Sequence, residues 1–166
     1  MTPVALILAA VAVAGSAAGC GAARTVEGAA RAAPAAVIGM PVRDGVLEFD
    51  VYDVSQARRV GELSDPGLSI SAEGVYVIVV VSVRNMGGAA HTFVDRDQTL
   101  IDSRGERFAV SMAANIYGNL DVPSTRMAPG EQLVVDLAFD VPVGTVPSRV
   151  VLRESASSDG VTVLLP

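Results

Sequence analysis

His91 is the only histidine of this 166-residue chain and Cys20 its only cysteine. A hydrolytic triad would need His91 beside a positioned serine, and no G-x-S-x-G elbow occurs. Zinc asks for several His or Cys ligands, and type-1 copper for a thiolate with two imidazoles. Neither set can be assembled. Copper(I) held by His91 with Met86, Met112 or Met127 is the one soft-ligand reading left open; core filling is the commoner use of such methionines. The stretch DRDQTLID (95–102) carries Asp95, Asp97 and Asp102, whose carboxylate oxygens could ligate calcium. Against an EF-hand template the sixth and twelfth positions are Leu100 and Glu106, so only the glutamate fits. A solvated loop is the simpler expectation there. A Walker phosphate loop is excluded, because the chain has no lysine. Arg58 and Arg59 in ARRVGE (57–62) could touch anionic headgroups, but two arginines make no patch. The sequence therefore reads as a non-enzyme without a cofactor.

The formal net charge is −6, which repels phosphate backbones, and no basic stripe offsets it. Aromatic residues are Phe49, Phe93, Phe108, Phe139, Tyr52, Tyr76 and Tyr117, with no Trp. Stacking platforms for bases need such rings, and sugars use them too. Nucleic acid is excluded as a partner, and carbohydrate is disfavoured.

These side chains must be positioned by something, and three segments follow one another. Residues 4–14, VALILAAVAVA, form an apolar run as long as a secretory signal core. Small residues Ala17, Ala18 and Gly19 follow, and then Cys20. No charged residue precedes Cys20, and no cysteine follows it, so no disulfide can form in the remainder.

The order apolar core, small, small, Gly, Cys resembles the lipobox of bacterial lipoproteins. The resemblance implies diacylglycerol on the Cys20 sulfur, cleavage before it, and a mature chain that begins at Cys20. Two acyl chains anchor stably where one does not. The expected address is the extracytoplasmic face of the cell membrane, with free secretion as the alternative. The expected domain plan is a signal peptide at 1–19, an Ala/Gly-rich tether at 20–42 and a folded domain at 43–166.

After residue 43 the pattern turns to period two. VLEFDVY (46–52) puts Leu47, Phe49 and Val51 on one face. EQLVVDLAFDV (131–141) does the same with Leu133, Val135, Leu137, Phe139 and Val141. Shorter strands are expected near 92–94, 99–102, 107–110, 149–153 and 161–165, separated by NMGG, SRGE, APGE, PVGTVP and SSDG turns. Seven or eight short strands with little helix predict an all-β antiparallel sandwich. Gly87, Gly88, Gly105 and Gly130 are expected at positive φ.

GVYVIVVVSVR (74–84) is apolar on both sides. Its valines line one face and Tyr76, Ile78 and Val80 the other. That second strip must be covered, either by the termini and loop 109–127 or by a partner.

Three fold motifs carry a family likeness: VRNMGG (83–88), TLIDSRGERF (99–108) and MAPGEQLVVDLAFDVP (127–142). The chain resembles the telokin-like domain of bacterial surface lipoproteins, similar in fold to the secreted mycobacterial immunoprotective antigen. The resemblance implies an immunoglobulin-like sandwich outside the cytoplasm and no catalytic residue. The functional expectation is a lipid-anchored binding module, with another envelope protein as the expected partner. A metal-binding lipoprotein and a passive envelope component are the competing readings.

Overall fold

The computed structural model describes residues 35–61, 66–119 and 124–166. The expected leader at 1–19, the lipidation site Cys20 and the tether up to residue 34 lie outside the described residues. The period-two segments become strands because each can bury one face. In chain order these are β1 (Ala36–Val37), β2 (Val42–Asp44), β3 (Leu47–Gly61), β4 (Ser69–Asn85), β5 (His91–Val94), β6 (Thr99–Asp102) and β7 (Arg107–Ala109). Helix α1 (Met112–Asn119) follows, and then β8 (Ser124–Met127), β9 (Gln132–Val141), β10 (Pro147–Leu152) and β11 (Val161–Leu164).

Two sheets pack face to face. One is five-stranded in the order β1-β11-β10-β6-β7, and the other four-stranded in the order β2-β3-β4-β9. Among the described residues, only the short β1–β11 pairing is parallel. A two-stranded ribbon, β5 with β8, adds Phe93 and Met127 to the core. From the four-stranded sheet come Leu47, Phe49, Val77, Val79, Val81, Leu137 and Phe139; Leu100, Val150, Leu152 and Val163 face them. Phe49 and Phe93 meet with ring centroids 6.2 Å apart, in a tilted pair. Each such buried side chain contributes roughly 1.5–3 kcal/mol.

The β-sandwich expected from the sequence is the observed fold, with four differences. The domain begins before residue 43, because Ala36 is buried beside Val163 on the edge of the five-stranded sheet. β8 and the two short N-terminal strands add to the eight segments the pattern marked. β3 and β4 run on past the alternating stretches as one long hairpin, with register shifts at Val51/Asp53 and Ala57/Arg59. Bulges of this kind break the two-residue period, so the pattern stops where the strand does not. Finally, Gly105 and Gly130 have positive φ, whereas Gly87 and Gly88 do not. At Gly87 the requirement is space: a Cβ there would stand 3.1 Å from Val46 and 3.2 Å from Asn85 Oδ1.

Candidate functional site

The outer face of the four-stranded sheet divides into two halves. On one, Tyr76 and Ala138 lie under α1 and form a second apolar cluster with Val60 and Ala114; Ile70, Ala72, Ile78 and Tyr117 pack against it. Ser111 starts the helix, its Oγ accepting from Ala114 N–H at 3.3 Å. Asn115 then locks it down. Its Nδ2 donates to Asp95 Oδ2 at 2.9 Å, and its Oδ1 accepts from Ala138 N–H at 2.8 Å. The free edge of β9 is thereby closed at Ala138, whose carbonyl also accepts from Ser111 N–H at 2.7 Å. Burial, reinforced by the nearby Asp140 carboxylate, pushes the Tyr76 hydroxyl above its usual range, and a hydrogen bond with Ser111 offsets part of this. Of the three residues on the second apolar strip of β4, Tyr76 is covered by the chain's own helix at 1% exposure. Ile78 and Val80 are half-buried.

The other half carries no helix among the described residues. Register puts Arg43, Glu48, Arg84 and Gln132 in one cross-strand row. Asp50, Ser82 and Val134 form the next. Small side chains in the second row, ringed by larger ones, leave a dimple of about 110 Å³ over Asp50 and Ser82. Pro41, Tyr52, Arg84 and Gln132 are on its rim. Gln132 Nε2 donates to Ser82 Oγ at 2.7 Å, and Arg43 bonds Glu48 at 2.8 Å. Asp50 Oδ1 is shut from solvent with no hydrogen-bond donor among the described residues. Tyr52 and Val134 stand exposed at 51% and 58%. Asp136, close to the border between the halves, has its carboxyl raised above the usual range by burial.

Of the sequence-derived metal candidates, Asp95, Asp102 and His91 are used structurally. Asp95 is buried and bound by Asn115. Asp102 caps the β6–β7 hairpin: its Oδ1 accepts from the N–H groups of Arg104 and Glu106, both at 2.8 Å. Burial alone would raise its carboxyl, but these bonds and the Arg104 guanidinium outweigh that and hold it below the ordinary range. His91 turns toward Glu154, with Nε2 3.2 Å from its carbonyl and Nδ1 3.6 Å from its carboxylate. A carbonyl only accepts, so Nε2 carries the proton. Glu154 in turn accepts from Val46 N–H at 2.8 Å and donates its own N–H to Asp44 at 2.7 Å; Ser158 Oγ also bonds Asp44. This clasp ties loop 153–160 to the β2–β3 turn, where a Cβ on Gly45 (φ 56°) would fall on the Glu154 carboxylate. Met127 is buried in the core, and Met86 is exposed. Among the described residues no three His, Cys, Asp or Glu side chains converge to hold an ion. Arg58 and Arg59 are exposed on the extended part of β3.

An open groove of about 610 Å³ runs between β7 and β9 near the sheet ends, lined by Glu73, Ser111, Asp140 and Val143 among others. Asp140 is already engaged by the N–H groups of Glu73 and Gly74 at 2.8 and 3.1 Å. Among the described residues, no histidine or cysteine lines this groove.

Sequence reasoning missed Ser111 and Asn115 on the covered half, and Ser82, Arg84 and Gln132 on the open one. Ser111 was visible as an N-cap signal before MAAN. Asn115 was not, since its two partners come from other parts of the chain.

Fold and surface together define a β-sandwich domain with no catalytic constellation among its described residues. The chain belongs to the family described as Domain of unknown function (DUF4352), whose model matches residues 36–162. Among solved structures it is similar to the secreted Mycobacterium tuberculosis protein MPT63, with TM-score 0.58 and 19% identity over 81% of this chain and 99% of that one. It is similar to the yjhA protein of Bacillus subtilis, with TM-score 0.55 and 13% identity over 79% and 99%. A conserved hypothetical protein of Bacillus anthracis gives TM-score 0.54 and 12% identity over 76% and 94%. At such identities the likeness is one of fold. No curated protein matches the chain.

Proposed function

We propose that this protein is a lipid-anchored extracytoplasmic domain that works by binding rather than catalysis, through the open half of the four-stranded sheet. The observation that carries the binding reading is that division of one sheet face. A helix covers the apolar half, burying Tyr76 and leaving Ile78 half-buried, while the other half keeps Tyr52 exposed on the rim of a polar dimple and Val134 exposed beside it. A fold that covers one half so thoroughly leaves the other uncovered without needing it for stability. The anchor reading is supported by the small-small-Gly-Cys order ending at Cys20. A fold neighbour described as secreted agrees with a place outside the cytoplasm.

The test is fractionation together with intact mass. The native protein is expected in the membrane fraction, beginning at Cys20 with a diacylglycerol adduct, and Cys20→Ser is expected to release it. A native chain that begins at Met1, or one that stays membrane-bound after Cys20→Ser, would overturn the anchor.

A further inference from the structure

We propose that the dimple over Asp50 and Ser82 is a subsite for one neutral sugar ring, stacked on Tyr52. The inference rests on the binding role assigned to the open half-face and names its ligand class. Few rings in the sequence argued against sugars, but one correctly placed ring is enough for one subsite. Tyr52 is the one aromatic side chain among the described residues that is more than half exposed. It sits where the register shift between Val51 and Asp53 turns it onto the dimple's rim.

The polar groups beside it are complementary to a diol. Asp50 lines the dimple with a carboxylate that accepts no hydrogen bond among the described residues; its Oδ1 is shut from solvent, which leaves Oδ2 to meet a ligand. Arg84, diagonal to it across the ladder, offers a guanidinium that donates to no group among the described residues. Gln132 spends one amide N–H on Ser82. Acceptor and donor thus lie side by side, which suits neighbouring hydroxyls that each give one hydrogen bond and take one. Charge selects the same class. Arg43 is paired with Glu48, and Asp50 and Arg84 carry one opposite charge each. The dimple is therefore locally neutral, and an ammonium or carboxylate ligand would leave one charge of that set opposed. A neutral polyol leaves none. The floor is made of three paired strands, so little ordering is needed on binding.

The experiment is a ¹H–¹⁵N titration of the purified full chain with methyl glucoside, methyl galactoside and methyl mannoside. Ethylammonium chloride and sodium acetate serve as charged probes. The expected result is saturable shifts at Asp50, Tyr52, Ser82, Arg84 and Gln132 with at least one glycoside, at a Kd on the order of 1–10 mM. Tyr52→Ala and Asp50→Asn should each weaken that binding about tenfold or more. Tyr117→Phe, on the covered half, should leave it unchanged. All three variants must keep the native amide spectrum elsewhere, which separates lost binding from lost folding. The proposal is overturned if no glycoside gives saturable shifts, if the shifts map away from the dimple, or if only a charged probe shifts these residues. A protein crosslinked through Tyr52 in cells, with no glycoside response, would keep the open face as a binding surface and overturn the sugar.

Discussion

The two halves of one sheet face solve the same problem in opposite ways. Both are built on β3, β4 and β9, and both have β4 side chains pointing away from the core. Where those side chains are Tyr76 and Ile78, exposure would cost several kcal/mol, and α1 is brought across to cover them. Where they are Ser82 and Arg84, Ser82 is satisfied by Gln132, Arg84 stands in water, and no helix among the described residues covers them. The helix itself is a poor one by composition, with two Asn and a Gly in eight residues. Its place is secured by what it buries and by Asn115, not by intrinsic propensity. The difference teaches that the covered half is stability and the open half is free to serve something else.

That contrast is sharpest in a matched pair of substitutions. Tyr76→Ala should cost about 3–5 kcal/mol in chemical denaturation, through the cavity it leaves under α1. Tyr52→Ala, a tyrosine on the same sheet face, should stay within about 0.5 kcal/mol of the parent. Equal losses would erase the distinction. Next in size is Asn115→Ala, which strips a buried carboxylate and a buried N–H of a partner at once. It should cost roughly 2–4 kcal/mol and raise amide exchange at Ala138 and through α1 while sparing Asp50 and Ser82.

Asp136 near the border gives a smaller, pH-dependent effect. Its carboxyl is raised by burial, so the folded state holds its proton more tightly than the unfolded chain does. Stability from this group is present at low pH and lost as pH rises through the folded value. Asp136→Asn should therefore raise Tm at pH 7, and the gain should shrink toward pH 4. Asp102 has the opposite sign. Its lowered carboxyl stabilises the hairpin above the ordinary carboxylate range, and that contribution disappears as pH falls through the folded value. Asp102→Asn should narrow the difference in Tm between neutral pH and about pH 3, and an unchanged difference would refute the hairpin cap.

Much of the sandwich was legible from alternation alone. Leu47, Phe49 and Val51, and the valines of β4, are buried as their spacing demands. Residues 53–61 were not legible as strand, because two bulges interrupt the period and DVSQARR lacks apolar contrast. The helix hid for the reason given above: tertiary cover, not propensity, makes it. Within the candidate site, Glu48, Asp50 and Tyr52 were visible as the wet side of one strand. Ser82, Arg84 and Gln132 join them only through the register of three strands, which no single segment encodes. The acidic stretch 95–102 looked like ligand chemistry, yet the carboxylates of Asp95 and Asp102 tie the fold together. Buried partners such as Asn115 cannot be seen from local spacing.

The central claim is that the open half-face is where the molecule meets its ligand. A benzophenone amino acid placed at the position of Tyr52, and separately at that of Arg107 on the other sheet, tests it on intact cells under ultraviolet light. The account predicts a discrete mass-shifted adduct from the Tyr52 position and none from the Arg107 position. Adducts of equal yield from both positions, or from Arg107 alone, would contradict it.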